Sequence, residues 1–304
     1  MHSSIAVSLL REQRMHEASI RTLSLGEAVV TIFNIGDIYL PLVDHMKLPP
    51  GVPAREEDLA EFSNQATLPI HSIHIRLPTT SVMVDAGAYD VGADSEYEIE
   101  GYQPPPCLLK QMAAVAIEPK EVDHVVITHR HWDHFNGTTQ EVDGENQPCF
   151  PNARHYISRV DWQDISELLE DSDSIESRTL GLLHGKGLLD LVDGNRELVE
   201  GLNILAAPGE TAGHQIVRAH SGGEMLYCLG DLYHHPLEFE REDWMVSWAD
   251  REKTMRSRAA LTSSAIQERA TLVSTHIRSA GTLTQTPRGA RWEAVAARAK
   301  GPSS

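Results

Sequence analysis

The sequence predicts an α/β protein, and three observations support this class. Short β-branched segments such as 123–128 alternate along the chain with segments of helical periodicity. Of the 304 residues, 41% are hydrophobic and 23% are charged, which is typical of a globular protein with an ample core. His and Asp residues directly follow several predicted strands, where open α/β sheets usually place their ligand sites. We therefore expect a site at the carboxyl ends of the strands.

The domain organisation is expected to be simple. Residues 1–24 read as an N-terminal arm or helix, and residues 25–304 as a single domain. Residues 44–69 are Pro-rich, contain an acidic helix near 56–62, and are too long for a hairpin loop, so we interpret them as an insertion. Such a segment is often a lid or binding loop, and an inert surface insertion fits equally well.

The individual elements follow from local pattern. Strands are expected at 28–37, at 38–42 as a hairpin partner, and at 72–77, 81–85, 123–128, 155–157, 198–206, 223–229, 271–275 and 291–295. Helices are expected at 107–117, at 158–170 with Ser158 as N-cap, and at 250–270.

Charge and composition exclude several classes of function. The formal net charge is −18, from 26 basic and 44 acidic residues, so the chain repels nucleic-acid phosphates and anionic membranes. No run reaches transmembrane length, and the N-terminus lacks the pattern of a signal peptide. Three widely spaced cysteines, Cys107, Cys149 and Cys228, form no disulfide framework. We expect a cytoplasmic protein that acts on a small molecule.

The stretch T-H-R-H-W-D-H-F-N-G, residues 128–137, carries the main chemical signal. It places His129, His131, Asp133 and His134 within six residues, and imidazoles and carboxylates are good ligands for Zn²⁺ and similar ions. Four ligands exceed what one tetrahedral ion normally takes from so short a segment, which suggests two adjacent metals. A His-rich surface loop is the alternative, but such a loop would not need a hydrophobic strand running directly into it.

Three further potential ligands follow strands or lie in a Gly-flanked loop. They are His214, Asp231 and His276, and each is weak evidence alone. One partition assigns two ions and a bridging residue as follows: His129, His131 and His214 on the first ion, Asp133, His134 and His276 on the second, and Asp231 between them together with a solvent hydroxide.

This arrangement favours hydrolysis. A bound metal lowers the pKa of water from 15.7 towards about 7 and so supplies hydroxide at neutral pH. Asp133 could also take up and return a proton. The sequence contains no G-x-S-x-G, no P-loop and no G-x-G-x-x-G, which argues against serine hydrolases and nucleotide-binding enzymes.

The H-x-H-x-D-H pattern with spaced His, Asp and His resembles the metallo-β-lactamase superfamily. The phrases Val84–Gly87, Ile127–His129, Pro208–His214 and Gly230–Asp231 are similar to other landmarks of that family. The resemblance covers roughly residues 25–300. It implies a four-layer αββα sandwich with the site at one edge between the two sheets, and two divalent ions, with zinc as the expected metal.

Within the family, the chain resembles the branch of N-acyl-homoserine lactonases, arylesterases and organophosphate hydrolases. Only 28 residues follow His276, too few for the helical C-terminal domain of glyoxalase II, and position 131 is His rather than the Glu of flavodiiron proteins. The lactonases carry a Tyr three residues after the bridging Asp, whereas here Tyr233 stands at +2 and His234 at +3. The resemblance implies a catalytic role for Tyr233 or His234 besides Asp133. A Tyr233 that simply packs beneath the sheet remains the alternative.

The resemblance implies a dinuclear metal-dependent hydrolase that cleaves a carboxylic ester or lactone, such as an N-acyl-homoserine lactone, by attack of a metal-bridging hydroxide. Three alternatives remain: an organophosphate or phosphotriester hydrolase on the same ligands, a mononuclear iron dioxygenase, and a metal-binding protein without turnover. Phe239, Trp244 and Trp248 could wall an apolar pocket. Alternatively Trp244 and Trp248, spaced i and i+4, dock the segment onto the core, and we favour docking slightly. The 44–69 insertion could form another wall or the contact of a homodimer.

Overall fold

The computed structural model describes residues 19–49, 51, 55–92, 95–287 and 289–296. Its strands are β1 (Ile20–Leu25), β2 (Ala28–Tyr39), β3 (Met46–Lys47), β4 (Thr67–Arg76), β5 (Ser81–Val84), β6 (His124–Val126), β7 (Thr139–Val142), β8 (Glu145–Pro148), β9 (Arg154–Ser158), β10 (Leu189–Val192), β11 (Arg196–Val199), β12 (Leu202–Ala206), β13 (Gln215–Ser221), β14 (Glu224–Cys228), β15 (Met245–Val246), β16 (Thr271–Val273), β17 (Gly281–Thr286) and β18 (Gly289–Ala294). Its α-helices are α1 (Leu42–His45), α2 (Glu56–Ser63), α3 (Leu108–Ala114), α4 (Trp132–Phe135), α5 (Arg159–Asp164), α6 (Ser166–Glu170), α7 (Leu182–Gly185) and α8 (Arg251–Glu268).

Most strands belong to two seven-stranded sheets. The first has the order β1-β2-β4-β5-β6-β9-β10, antiparallel from β1 to β5 and parallel from β5 to β10. The second has the order β11-β12-β13-β14-β16-β17-β18, with β14 and β16 parallel and the other pairs antiparallel. Two short two-stranded ladders, β3 with β15 and β7 with β8, lie outside these sheets.

Side-chain alternation explains how the two sheets stack. On β5, Val82 and Val84 join the same hydrophobic cluster as Leu226 and Cys228 of β14, so this cluster lies between the sheets. Met83, between the two valines, belongs to a different cluster on the opposite face. Successive strand residues point to opposite faces, and both faces of these strands are therefore buried.

Helices cover the two outer faces. On the first sheet, Leu108 and Met112 of α3 share a cluster with Met83. On the second sheet, Leu261 and Ala265 of α8 share a cluster with strand residues of β13, β14 and β16. The order of layers is helix, sheet, sheet, helix, and the predicted αββα sandwich is confirmed.

The amino-terminal part of the domain differs from the expectation. Residues 1–18 of the predicted arm lie outside the described residues, but Ile20–Leu25 forms β1 and pairs with β2 instead of forming an arm or helix. The predicted hairpin of 28–37 with 38–42 is a single strand, β2. Its register against β4 shifts at Asn34 and Gly36, so a β-bulge accommodates the residues that resembled a turn.

The 44–69 insertion is packed against the 233–248 segment. It contains β3 and α2, and its last residues already belong to β4. Met46 pairs with Val246, while the Phe62 ring of α2 is fully buried and stacks on Trp244 with 5.4 Å between ring centroids. The insertion is thus part of the folded domain, although part of its Pro-rich stretch, residues 50 and 52–54, lies outside the described residues.

Strand ends from both sheets meet at one edge of the sandwich. The segment after β6 carries the H-x-H-x-D-H residues. The loop after β12 spans residues 207–214 and ends with His214, and the loops after β14 and β16 carry Asp231 and His276. In the part of the chain that the structure describes, no helix combines the length and apolar character needed to cross a bilayer.

Candidate metal centre

The first donor group contains His129, His131, Asp231 and Glu210, whose ligand atoms all lie within 4.8 Å of one another. His129 Nε2 is 2.8 Å from His131 Nδ1 and 3.7 Å from Asp231 Oδ2. His131 Nδ1 is 3.6 Å from Glu210 Oε1. Two donors that bind one ion at about 2.1 Å cannot lie more than about 4.2 Å apart. These three separations meet that condition.

The second donor group contains Asp133, His134 and His276. Asp133 Oδ2 lies 3.5 Å from His134 Nε2 and 3.5 Å from His276 Nε2. Asp133 and His134 belong to α4, the first helix after β6, and His276 lies in the loop after β16. All three are at least nine-tenths buried, so a cation held there would be largely withdrawn from solvent.

Asp231 contacts both groups. Its Oδ1 is 3.3 Å from His134 Nε2, and its Oδ2 is 3.1 Å from His276 Nε2 besides the contact with His129. Oδ1 of Asp231 and Nε2 of His134 are nevertheless buried without a hydrogen-bond partner. Buried polar atoms are rarely left unpaired unless an ion or water satisfies them. The donor set and its unpaired atoms therefore fit divalent cations.

His214 lies beside the first group but makes a different contact. Its ring centroid is 5.1 Å from that of His129. Its Nδ1 donates to the Ala207 carbonyl at 3.0 Å, and its Nε2 accepts a hydrogen bond from the Asp231 amide at 3.1 Å. The predicted ligand His214 is thus brought to the centre, although the donor group of the structure contains Glu210 in its place.

Neighbouring groups fix the imidazole orientations of the second group. Asp85 Oδ2 accepts from His134 Nδ1 at 2.8 Å, and the Thr128 amide and hydroxyl donate to the same carboxylate. His276 Nδ1 donates to the Pro69 carbonyl at 2.7 Å. A proton held on Nδ1 leaves Nε2 free to bind a metal, which is the usual arrangement around metal-binding His. Asp85 and the Pro69 carbonyl therefore orient the two imidazole rings.

Burial and charge set the protonation of the centre. Burial lowers the pKa of His131 and of His214 to about 4, and that of His129 well below its usual value, so these rings are neutral at pH 7. Neutral imidazole is the form that binds metals. Burial acts in the same direction on His134, but the Asp231, Asp133 and Asp85 carboxylates overcome it and raise its pKa well above the usual value. A positive charge is therefore favoured between the carboxylates.

A cavity of about 520 Å³ opens onto both groups. Its wall is largely apolar and comes from Ile38–Pro41, Tyr97, Trp132 and Trp248, with Glu96 and His45 as further polar lining residues. Asp133, Asp231, His131 and His276 also line it. No Lys or Arg lines the cavity among the described residues.

The two candidate catalytic residues after Asp231 occupy different environments. His234 lines the cavity, with Nε2 3.5 Å from Asp231 Oδ2; burial lowers its pKa, but the Asp231 and Glu210 carboxylates outweigh this and raise it to about 9. Tyr233 is fully buried, stacks on Phe239 at 3.7 Å, and places its hydroxyl 3.1 Å from Thr262 Oγ1. The expectation of a catalytic Tyr233 is corrected, because this side chain packs in the core behind α8.

The aromatic residues of the 233–248 segment also lie in two different environments. Trp244 is buried and docks the segment as favoured from the sequence, and Phe239 is buried as well. Trp248, also expected to dock, is instead 45% exposed and lines the cavity. The Trp248 Nε1 donates to Glu210 Oε1 at 2.5 Å. Burial raises the pKa of Glu210 to about 7. Sequence reasoning assigned no role to Glu210, although a carboxylate four residues before His214 in a Gly-flanked loop was a usable signal.

Residues 67–232, more than half of the chain, match the family described as Metallo-beta-lactamase superfamily. An uncharacterised protein of Caenorhabditis elegans is 26% identical over 160 residues, which cover 52% of this chain and 36% of that protein. An N-acyl homoserine lactonase of a Bacillus species is 23% identical over 121 residues, which cover 39% of this chain and 42% of that protein. The chain thus spans less than half the length of both relatives.

Two similar solved structures share the fold over most of both chains. A hydrolase of the beta-lactamase superfamily, AbOPH, has a TM-score of 0.72 at 16% identity and covers 91% of this chain and 98% of its own. The dizinc quorum-quenching lactonase AidC has a TM-score of 0.70 at 20% identity with the same coverage. On the family match and this shared fold, the chain belongs to the metallo-β-lactamase superfamily.

Proposed function

We propose that this protein is a metal-dependent hydrolase that uses two divalent ions to cleave a small, neutral carboxylic ester or lactone. The observation that carries the proposal is the position of Asp231, which contacts both donor groups at the base of an apolar-walled cavity. The fold of the family implies divalent-metal binding, and the similarity to a curated lactonase supports the bond class.

Side chains from both groups would hold the ions. His129 and His131 would bind the first, Asp133, His134 and His276 the second, and Asp231 both. Zinc is the expected metal, since imidazole ligands suit it and this pattern leaves room for solvent. Bound divalent ions supply two things here: they lower the pKa of a water molecule and polarise a carbonyl oxygen.

The remaining chemistry belongs to the chain itself. Asp133 lines the cavity, and in this proposal its carboxylate accepts a proton from the nucleophile and returns it to the leaving alcohol. His234 Nε2 is on the same wall and is placed to donate a hydrogen bond to a substrate oxygen. The apolar stretch Ile38–Pro41 and Trp132 would exclude water around an acyl or aryl group.

The lining charges support a neutral substrate. Glu96 lies at the cavity, and none of its described lining residues is Lys or Arg, so a substrate carboxylate would find no permanently charged cation there. The charge of the His234 ring is already shared with Asp231 and Glu210. The net charge of −18 adds a further repulsion of anions. Esters and lactones satisfy this restriction. A phosphotriester satisfies it as well and is the second candidate substrate for the same site.

The test is turnover of three neutral substrate types: aryl esters, N-acyl-homoserine lactones and a paraoxon-like triester. We expect hydrolysis of an ester or lactone that is lost on dialysis against a chelator and restored by added metal. His131→Ala should abolish it, whereas His220→Ala, which changes an exposed His on β13, should not.

Each other result has a distinct reading. Full activity of His131→Ala would contradict the proposal. Faster turnover of the triester than of every ester and lactone would favour the second candidate. Tight metal binding with no hydrolysis of any substrate would indicate a binding protein, and iron-dependent oxygen consumption would indicate a dioxygenase.

A further inference from the structure

Glu210 brings a third carboxylate to the cavity end of the centre. It is 6% exposed, and its Oε1 lies 3.6 Å from His131 Nδ1 and 3.9 Å from His234 Nε2. Its ligand atom falls within 4.8 Å of those of His129, His131 and Asp231. The 3.6 Å separation from His131 is short enough for both atoms to bind one ion, since two donors at about 2.1 Å reach at most about 4.2 Å.

The loop that carries Glu210 is fixed on both sides. The Gly209 amide bonds the Thr211 carbonyl at 2.9 Å, while the Gly209 carbonyl accepts from the Asp250 amide at the start of α8. Gly209 has φ +155 and packs so close to Thr254 that a Cβ would lie 2.3 Å from its hydroxyl. Thr211 Oγ1 donates to Asp161 Oδ2 at 2.8 Å. The side chain is therefore delivered from a backbone with little freedom to move.

Among the described residues, the carboxylate of Glu210 has no permanently charged partner, and its 3.9 Å contact with His234 is to an imidazole that also pairs with Asp231. Its polar contacts are with the rings of His131 and His234 and with the Trp248 indole, and no Lys or Arg pairs with it among the described residues. Buried carboxylates are normally paired with a cation or bind a metal. His214, the predicted third ligand of the first ion, instead accepts the Asp231 amide through Nε2. The first donor group thus has both a place for a further ligand and a carboxylate to fill it.

We propose that Glu210 is a ligand of the ion held by His129, His131 and Asp231, and that it shifts the preference of this position from zinc towards harder divalent ions such as Mn²⁺ and Fe²⁺. The inference rests on the proposed metal-dependent function and adds a ligand to it. Carboxylate oxygens suit Mn²⁺ better than imidazole nitrogens do. With a solvent molecule added, this fourth side chain gives a coordination number of five, away from the four-coordinate geometry common for zinc.

The experiment compares the wild type with Glu210→Gln, Glu210→Asp and the matched control Glu96→Gln, which changes an exposed carboxylate at the same cavity. Affinities for Mn²⁺ and Zn²⁺ are measured by competition with a chromophoric chelator, and the Co²⁺-loaded proteins are compared by visible absorption. We expect Glu210→Gln to lose about tenfold or more in Mn²⁺ affinity relative to Zn²⁺. Its Co²⁺ bands should intensify as the coordination number falls, whereas Glu96→Gln should match the wild type.

Glu210→Asp separates direct binding from simple attraction. It keeps the negative charge but shortens the side chain, so a direct ligand role predicts that it behaves like Glu210→Gln. Wild-type affinities and Co²⁺ spectrum in Glu210→Gln would overturn the inference, and so would a change confined to KM, which would assign Glu210 to the substrate. A wild-type protein that binds no metal would overturn the proposed function as well, so the two failures are distinguishable.

Discussion

Asp231 has the largest number of contacts with the candidate ligands, because its two oxygens reach His129, His134 and His276. Oδ2 lies against His129 of the first group and His276 of the second, and Oδ1 lies against His134 of the second. The carboxylate thus joins the two groups with a negative charge that an amide lacks. We therefore treat it as the residue on which the pairing of two ions depends.

The change Asp231→Asn is predicted to reduce the bound metal from about two ions per chain to about one or fewer, since the negative charge shared by the two groups is lost. Hydrolysis should fall about 100-fold or more for the same reason. Elemental analysis after gel filtration and initial rates measure the two effects. Asp193→Asn, at an exposed carboxylate, is the control. Two tightly bound ions in Asp231→Asn would contradict the assignment.

The sequence revealed part of this centre because the first four candidate ligands are close along the chain and follow a hydrophobic strand. Glu210 was missed although its position four residues before His214 was a usable signal, because a carboxylate in a turn is usually solvated and the contact with Trp248 exists only in the tertiary structure. The choice between Tyr233 and His234 was undecidable for a related reason. In a loop without regular periodicity, nothing local says which of two neighbours faces the cavity.

The 232–244 segment is held to α8 by a buried ion pair. Arg258 donates to Glu238 at 2.8 Å and to the Leu232 carbonyl at 2.9 Å, and Glu238 in turn accepts the amide of His234. Arg258 and Glu238 are at most 1% exposed. The pair thereby ties the position of His234 to the helix on the outer face of the second sheet.

We expect Arg258→Met to lower the free energy of unfolding by about 3–5 kcal/mol, because it leaves the Glu238 charge buried and unpaired. The double change Arg258→Met with Glu238→Gln should cost less than the single one, since it removes that charge. Urea denaturation of the metal-loaded proteins measures both. A loss below about 1 kcal/mol for Arg258→Met would show that water or another group satisfies Glu238.

Elements were predictable where the local signal was strong. The helix expected at 250–270 is α8, whose Asp250 side chain accepts from the Lys253 amide as an N-cap. The sequence predicted two strands in place of β2 because Gly36-Asp37 resembles a turn. In the structure the strand continues, and a bulge in its pairing with β4 accommodates these residues. β17 was missed because its Thr- and Gln-rich sequence lacks apolar alternation, and its pairing with β18 becomes visible only in the fold.

The α/β class was predictable because short strands alternate with helices along the chain, whereas the stacking of two sheets was expected only from the family resemblance. What local pattern could not supply was the pairing of the insertion with the 233–248 segment, since two residues on each side make that ladder. The homodimer remains a prediction. So do the cytoplasmic location and the absence of nucleic-acid and membrane partners.

Acid stability of the whole molecule should depend on buried histidines such as His74. Burial and the nearby Arg76 charge lower the pKa of His74 to about 4, against about 6.5 in the unfolded chain. Because the unfolded chain binds the proton more readily, the contribution of His74 to the free energy of unfolding is fully present above about pH 6.5 and is lost as the pH falls towards 4. This single group contributes a loss of about 3 kcal/mol by pH 4.

The measurement is the free energy of unfolding as a function of pH for the wild type and His74→Gln. Gln keeps a donor for Ser81 Oγ, which lies 2.8 Å from His74 Nε2, but does not titrate. We expect the variant to lose less stability between pH 6.5 and 4, with a constant difference above pH 7. Parallel curves over the whole range would show that His74 does not take part.

Trp248 joins the centre to the solvent, since its indole N–H is bonded to Glu210 while 45% of the residue remains exposed. An indole in that situation is a natural fluorophore for the site. Its emission maximum and intensity should change when a cation binds the Glu210 carboxylate, and again when an acyl group displaces water from the ring. Intrinsic fluorescence should therefore report occupancy of the pocket in real time, without a label and without turnover. The Trp248→Phe variant provides the reference for the emission of the other tryptophans.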